Sequence, residues 1–180
     1  ISIAAGIGTD SLAEWLGPQV KLVRAMPNTP AMIQMGATGL YATAGVNEAE
    51  RQLAQQVMSA AGLVLWVDDE DLLHAVTAIS GSAPAYFFYM LENMIATGEK
   101  LGLTQTQATA LAMQTALGSA QMALTSHDTP AELRRKVTSP NGTTQAAIEV
   151  MDDKKMHQII ADAMLACEQR SRELSQAFGK

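Results

Sequence analysis

The chain has 180 residues and a formal net charge of −6, an electrostatic balance that argues against nucleic acid, whose phosphates call for a basic surface. Its lone cysteine, Cys167, excludes an intrachain disulfide framework and points to a reducing, cytoplasmic setting. Three scattered histidines, His74, His127 and His157, lack ligand-like spacing, so no metal site is expected.

The opening run Ile1-Ser2-Ile3-Ala4-Ala5-Gly6 reads as a short buried strand entering a loop. Thr9 to Leu16 suits a short amphipathic helix, and Lys21 to Met26 a second strand stopped by Pro27. Gly39 to Thr43 reads as a third strand. Asn47 with Glu50 is a capping signature for a helix running to about Ala61. Gly62 ends that helix, and Leu63 to Val67 reads as a fourth strand. Strands alternating with helical stretches predict an α/β arrangement.

Past Asp68-Asp69-Glu70-Asp71 the strand pattern does not return, which places a domain boundary near Asp68 and makes the rest all-α. Ser82 is a candidate cap for a helix from Ala83 to about Leu101, ended by Gly102. Thr104 with Gln107 opens another helix, and Thr129-Pro130-Ala131-Glu132 combines cap, N1 proline and N3 carboxylate. Gln145 through Met151 reads as a further helix, and the last one is expected from about Asp153 to Ala177. Between Lys100 and Asp128 no Asp, Glu, Lys or Arg occurs. Glutamines and threonines interrupt that stretch too often for a membrane span of ~20 apolar residues. It reads instead as a helix covered on most sides, by its own domain or by a partner subunit.

Three segments use residues awkward for plain secondary structure. Met26-Pro27-Asn28-Thr29-Pro30 ends a strand, where open α/β sheets place their ligands. It reads either as an Asx turn or as an amide presented to a ligand. Ser80-Gly81-Ser82-Ala83-Pro84-Ala85-Tyr86 reads as a helix start lined by small residues, and the aromatics that follow, Phe87, Phe88 and Tyr89, as core or interface. Val137-Thr138-Ser139-Pro140-Asn141-Gly142-Thr143-Thr144 is a hydroxyl-rich bend feeding a helix, where unpartnered N–H groups and the helix dipole suit a small anion such as a carboxylate. It brings no acid, thiol or imidazole, so chemistry there calls for a cofactor.

In order and spacing these segments resemble the pyrroline-5-carboxylate reductase family, carried by Ala4-Ala5-Gly6, by Arg24 through Pro30, by Ser80 through Tyr86 and by Thr138 through Thr144. Arg170-Ser171-Arg172-Glu173-Leu174 fits the family's last helix. Asn141 departs from it, standing where the family usually has Gly, but Asn tolerates a left-handed backbone. No G-x-G-x-x-G turn precedes Ile1, so the chain reads as the C-terminal portion of a longer protein. The resemblance implies that residues 1–68 end a Rossmann-like NAD(P)-binding domain and that 69–180 form an all-helical dimerisation and substrate-binding domain.

By resemblance, NADPH or NADH delivers hydride to the C=N carbon of a five-membered cyclic imino acid, and the product is L-proline. Thr144 is the catalytic residue implied, its hydroxyl bonded to the ring nitrogen. Ser139 and the N–H groups of Gly142, Thr143 and Thr144 hold the substrate carboxylate. Ile3, Ala4 and Ala5 lie along the cofactor, with Asn28 near its nicotinamide end. The family's helical domains interleave as homodimers, and some members assemble further into decamers. A β-hydroxyacid dehydrogenase, the nearest rival, needs a lysine in the helix after a Ser-Gly turn, and none occurs from Ser80 through Glu99. A noncatalytic helical dimerisation module is the other alternative, though such a module has no need of Thr143-Thr144 behind a glycine bend.

Overall fold

A computed structural model describes residues 1–178. Three strands form one sheet in the order β1-β2-β3: β1 Val23–Met26, β2 Gly36–Ala42 and β3 Gly62–Trp66. β1 and β2 run antiparallel, whereas β2 and β3 are parallel and joined through helix α2, Glu48–Ser59, as a parallel pair requires. Alternation then sorts the side chains. Val23, Ala25, Leu40 and Ala42 meet Ala54 of α2 in one buried cluster, flanked by Val46, Met58, Val64 and Trp66. On the opposite face, a Cβ at Gly39 would fall 2.8 Å from the Val76 methyls, so glycine there admits the next helix against the sheet. The β2–β3 ladder starts where Gly36 pairs with Gly62; Gly62 has φ 138°, and a Cβ on it would lie 2.2 Å from the Gly36 carbonyl oxygen.

The expected opening strand is reduced to a single bridge. Ser2 N–H donates to Val23 O, and Ala25 N–H to Ser2 O, each at 2.8 Å. Ile1 and Ile3 are exposed, so the run is not buried as expected. Helix α1, Thr9–Leu16, forms where anticipated, but it buries Thr9 and Ser11 and leaves Trp15 and Leu16 exposed.

After β3 only helices follow among the described residues. They are α3 Leu72–Val76, α4 Ala83–Lys100, α5 Gln105–Thr125, α6 Pro130–Lys136, α7 Thr143–Asp153 and α8 Met156–Phe178. The capping boxes of Asn47 with Glu50, Thr104 with Gln107, and Thr129 with Glu132 are all present. Ser82 does not cap α4. A π-helical turn, Thr77–Gly81, joins α3 to α4 without a break, and the Ser82 hydroxyl accepts from the Cys167 thiol at 3.2 Å. The last helix begins three residues later than expected because Lys155, with φ 55°, separates it from α7.

Packing divides the chain into two compact units, residues 1–86 with 161–180, and 87–160. In the second, α4 and α5 approach closely enough that a Cβ at Gly98 would meet the Ala108 methyl at 2.9 Å. Of uncharged α5, only Ala108 and Ala112 are buried, while Leu111, Met113, Leu117, Met122 and Leu124 stand exposed. The chain by itself therefore does not cover this helix. Phe87, Phe88 and Tyr89 are exposed too, which removes them from the core. No described helix is long and apolar enough to cross a membrane.

Candidate functional site

The hydroxyl-rich bend lies between α6 and α7. Thr138 closes α6 by donating its hydroxyl to Arg134 O at 2.6 Å. A tight turn follows in which Gly142 N–H donates to Ser139 O at 3.1 Å. Asn141 takes the left-handed conformation, φ 58°, as anticipated for the Gly-to-Asn departure. Its N–H donates to the Gln145 side chain at 2.7 Å, which holds the bend onto the first turn of α7.

Gly142 is the N-cap of α7 and supplies no side-chain cap. The first N–H groups of a helix have no intrahelical acceptor. Among the described residues, those of Thr143 and Thr144 have no protein partner, so they remain available to an anion at the positive end of the helix dipole. The Gly142 N–H, expected to join them, is committed to the turn. What Gly142 contributes is room: a Cβ there would lie 2.5 Å from the Ser139 hydroxyl oxygen and 3.0 Å from Ser139 O. Ser139 and Thr143 are exposed and Thr144 half-buried. An open groove of about 420 Å³ is lined by Ala131, Glu132, Arg134, Arg135, Thr138 and Ile148, which flank the bend; Ser139, Thr143 and Thr144 do not line it.

Ile3, Ala4, Ala5 and Asn28 belong to the other compact unit. Ala4 and Ala5 are exposed, and side chains no larger than methyl leave their backbone open to close approach. Asn28 follows β1 but presents little of its amide. Its Oδ1 accepts from Ala37 N–H at 2.9 Å, and its Nδ2 donates to Ser80 O at 3.1 Å. Both ends of the carboxamide are thus used in a bridge between loop, strand and π-turn. That turn is itself held by Ser82 N–H to Thr77 O, by the Ser80 hydroxyl to Val76 O and by the Thr77 hydroxyl to Leu73 O.

A buried ionic group in the same unit was not foreseen. Arg24, its side chain 3% exposed, pairs with Glu70 at 2.9 Å, and Glu70 also accepts from the Thr9 N–H and hydroxyl. His74 is buried beside them, its Nδ1 2.8 Å from the Ser171 hydroxyl. Burial lowers the His74 pKa, helped by the Arg172 and Arg24 guanidiniums and opposed by Asp71 and Glu168. Arg172 bonds both Asp71 and Glu168, and its bond to Asp71 holds that carboxyl below its usual range. The available signal was Arg24 itself, a charge inside an apolar strand run.

The family described as "Pyrroline-5-carboxylate reductase dimerisation" matches residues 70–174. Pyrroline-5-carboxylate reductase of Pseudomonas aeruginosa is 53% identical over 180 residues, all of this chain and 66% of the relative. That of Escherichia coli K12 is 36% identical over 177 residues, 98% of this chain and 65% of the relative. Among solved structures, a pyrroline-5-carboxylate reductase from Coxiella burnetii superposes with TM-score 0.93 at 43% identity, over 97% of this chain and 64% of that one. A Plasmodium falciparum pyrroline carboxylate reductase, with NADP bound, gives TM-score 0.91 at 27% identity over 97% and 68%. An α/β unit followed by helices is thus the fold class, with the Rossmann-like and helical layers of these neighbours. The chain belongs to the pyrroline-5-carboxylate reductase family. It spans just under two-thirds of the length of the curated relatives it matches.

Proposed function

We propose that the natural protein carrying this chain reduces 1-pyrroline-5-carboxylate to L-proline with NADPH or NADH, the last step of proline biosynthesis. One observation supports this above the rest: the unpartnered Thr143 and Thr144 N–H groups and the Ser139 hydroxyl lie together at a helix start that carries no acid, thiol or imidazole. Such an arrangement binds and orients a small carboxylate but performs no proton abstraction of its own.

The substrate carboxylate takes the Thr143 and Thr144 N–H groups and the Ser139 hydroxyl, with Gly142 giving that hydroxyl its place. Hydrogen bonds to a charged group contribute roughly 1.5–3 kcal/mol each and the helix terminus roughly 0.3–1, so placement of donors outweighs the dipole. The Thr144 hydroxyl bonds the ring nitrogen and fixes which carbon faces the reductant. A cyclic imine arrives protonated from water, so the chain need supply no strong acid, and catalysis is chiefly orientation. Reduced nicotinamide, when bound, supplies the hydride. Exposed, small-side-chained Ala4 and Ala5 with Ile3 fit a cofactor laid along the main chain, and Asn28, in the same unit, is assigned near its nicotinamide end. The relative with NADP bound is the precedent for this cofactor class.

Residues 1–68 act in this reading as the end of the dinucleotide domain, and 69–180 as the dimerisation and substrate domain; the family match opens at residue 70. Exposed apolar side chains on α4, α5 and α7 support a homodimer, and assembly into decamers extends the same reading. A single cysteine suits a cytoplasmic setting. The test is an assay of the natural reading frame that encodes these residues. Oxidation of NADPH or NADH on addition of pyrroline-5-carboxylate, with L-proline as product, is the expected result; no turnover with either cofactor overturns the proposal.

A further inference from the structure

The structure assigns to Asn28 the role of a positioning residue: its carboxamide supplies, to the Ser80 carbonyl, the hydrogen bond that Pro84 cannot give. In a regular helix the carbonyl of residue 80 accepts from the N–H of residue 84. Residue 84 is proline and has no N–H. The next donor along, Ala85 N–H, is committed to Ser82 O at 3.0 Å. Ser80 O is thereby left without a helical partner in a half-buried place, where an unmade bond is costly. Asn28 Nδ2 fills it at 3.1 Å from a loop 52 residues away, while Oδ1 holds Ala37 N–H at the start of β2.

Three backbone segments thus meet on one side chain: the loop after β1, the first pair of β2, and the π-turn at Ser80-Gly81. Gly81 packs beside Met26, whose sulfur would lie 3.7 Å from a Cβ on the glycine, so the turn is pressed against the C-terminal end of β1. Ligands of open α/β sheets bind beyond such strand ends. A π-turn inside a helix is also a recurrent mark of functional positions. Asn28 fixes the wall against which the reacting ring of the cofactor is placed. This consequence for turnover rests on the proposed reductase reading; the clamp does not.

The test is a double-mutant cycle in the natural reading frame. Asn28→Asp keeps an acceptor for Ala37 N–H but sets a carboxylate oxygen against Ser80 O, and Asn28→Ala removes both bonds. Pro84→Ala returns an N–H to the helix at the position that Ser80 O lacks. Either change at Asn28 is expected to lower kcat roughly 10- to 100-fold, as a small misplacement of reacting groups does, with the KM for the nicotinamide cofactor changed less than threefold. The Tm loss of Asn28→Ala is expected to shrink by at least half when Pro84→Ala is present, because neighbours sharing one acceptor are non-additive. Additive Tm shifts overturn the clamp. Wild-type kcat in Asn28→Asp, or a rise in cofactor KM matching the loss of kcat, overturns the positioning role. An inactive wild type paired with non-additive Tm shifts removes the reductase reading and leaves the clamp standing.

Discussion

The hydroxyl oxygen of Ser139 rests against the α-carbon of Gly142, in space that any side chain at 142 would invade: a Cβ there would come within 2.5 Å. Gly142→Ala is accordingly expected to swing the Ser139 hydroxyl out of the bend and lose a hydrogen bond to the substrate carboxylate. At roughly 1.5–3 kcal/mol for a charged partner, KM for pyrroline-5-carboxylate rises about 10- to 150-fold. Ser139→Ala gives a similar rise without touching the backbone. Steady-state kinetics on both variants checks this, and an unchanged KM in both places the carboxylate elsewhere.

Thr144→Ala is expected to lower kcat by about 10- to 100-fold, since one orienting bond to the ring nitrogen is lost. Thr144 is only half-buried, so the melting temperature should hold within a few degrees. Turnover at the wild-type rate removes Thr144 from the mechanism.

Glu70→Ala should be strongly destabilising, by about 3–5 kcal/mol, because it strands the Arg24 guanidinium in the interior and unties Thr9. Replacing Arg24 and Glu70 together by apolar residues of similar volume should cost much less. Urea unfolding midpoints of the single and double variants decide between these outcomes.

Stability should fall with acidification below about pH 6.5. The folded chain depresses the pKa of His74, so below the unfolded value the unfolded state binds the proton more readily than the native state. The contribution is present above that pH and lost as the pH falls. Asp71, held low by Arg172, adds a loss of the same sign only at more acidic pH, near and below its unfolded value. His74→Gln is expected to flatten the melting temperature between pH 7.5 and 5.5; an unaltered slope transfers the effect to another group.

Exposed Leu111, Leu117 and Leu124 on α5 predict self-association. Light scattering at micromolar concentration should report a dimer or larger species, and Leu117→Glu should shift it toward monomer. A wild-type monomer contradicts the assignment.

Local signals read well from the sequence. Three capping boxes and the left-handed Asn141 follow from side chains that bond within four residues, so neighbours alone determine them. Reading failed where a distant partner decides. Ser82 looked like a cap, yet its hydroxyl meets Cys167, 85 positions away, and the helix runs on through a π-turn. Asn28 read either as an Asx turn or as an amide for a ligand, and its two partners, Ala37 and Ser80, lie nine and 52 positions away. The opening run looked buried from its isoleucines, though only Ser2 pairs with β1. Arg24 with Glu70 and Arg172 with Asp71 went unread as pairs because 46 and 101 positions separate the partners.

The meeting of Gly36 and Gly62 has an evolutionary corollary. Gly62 needs the bare main chain of residue 36 at its own α-carbon, and a methyl at 36 would fall 2.8 Å from Ala61 O and 2.9 Å from Ala31. Any replacement at 36 pushes that segment off its seat on 62, so the two sites cannot drift independently. In a saturation library both columns should read glycine alone, and no second-site change should rescue either, because what each position requires is an emptiness that no added side chain can restore.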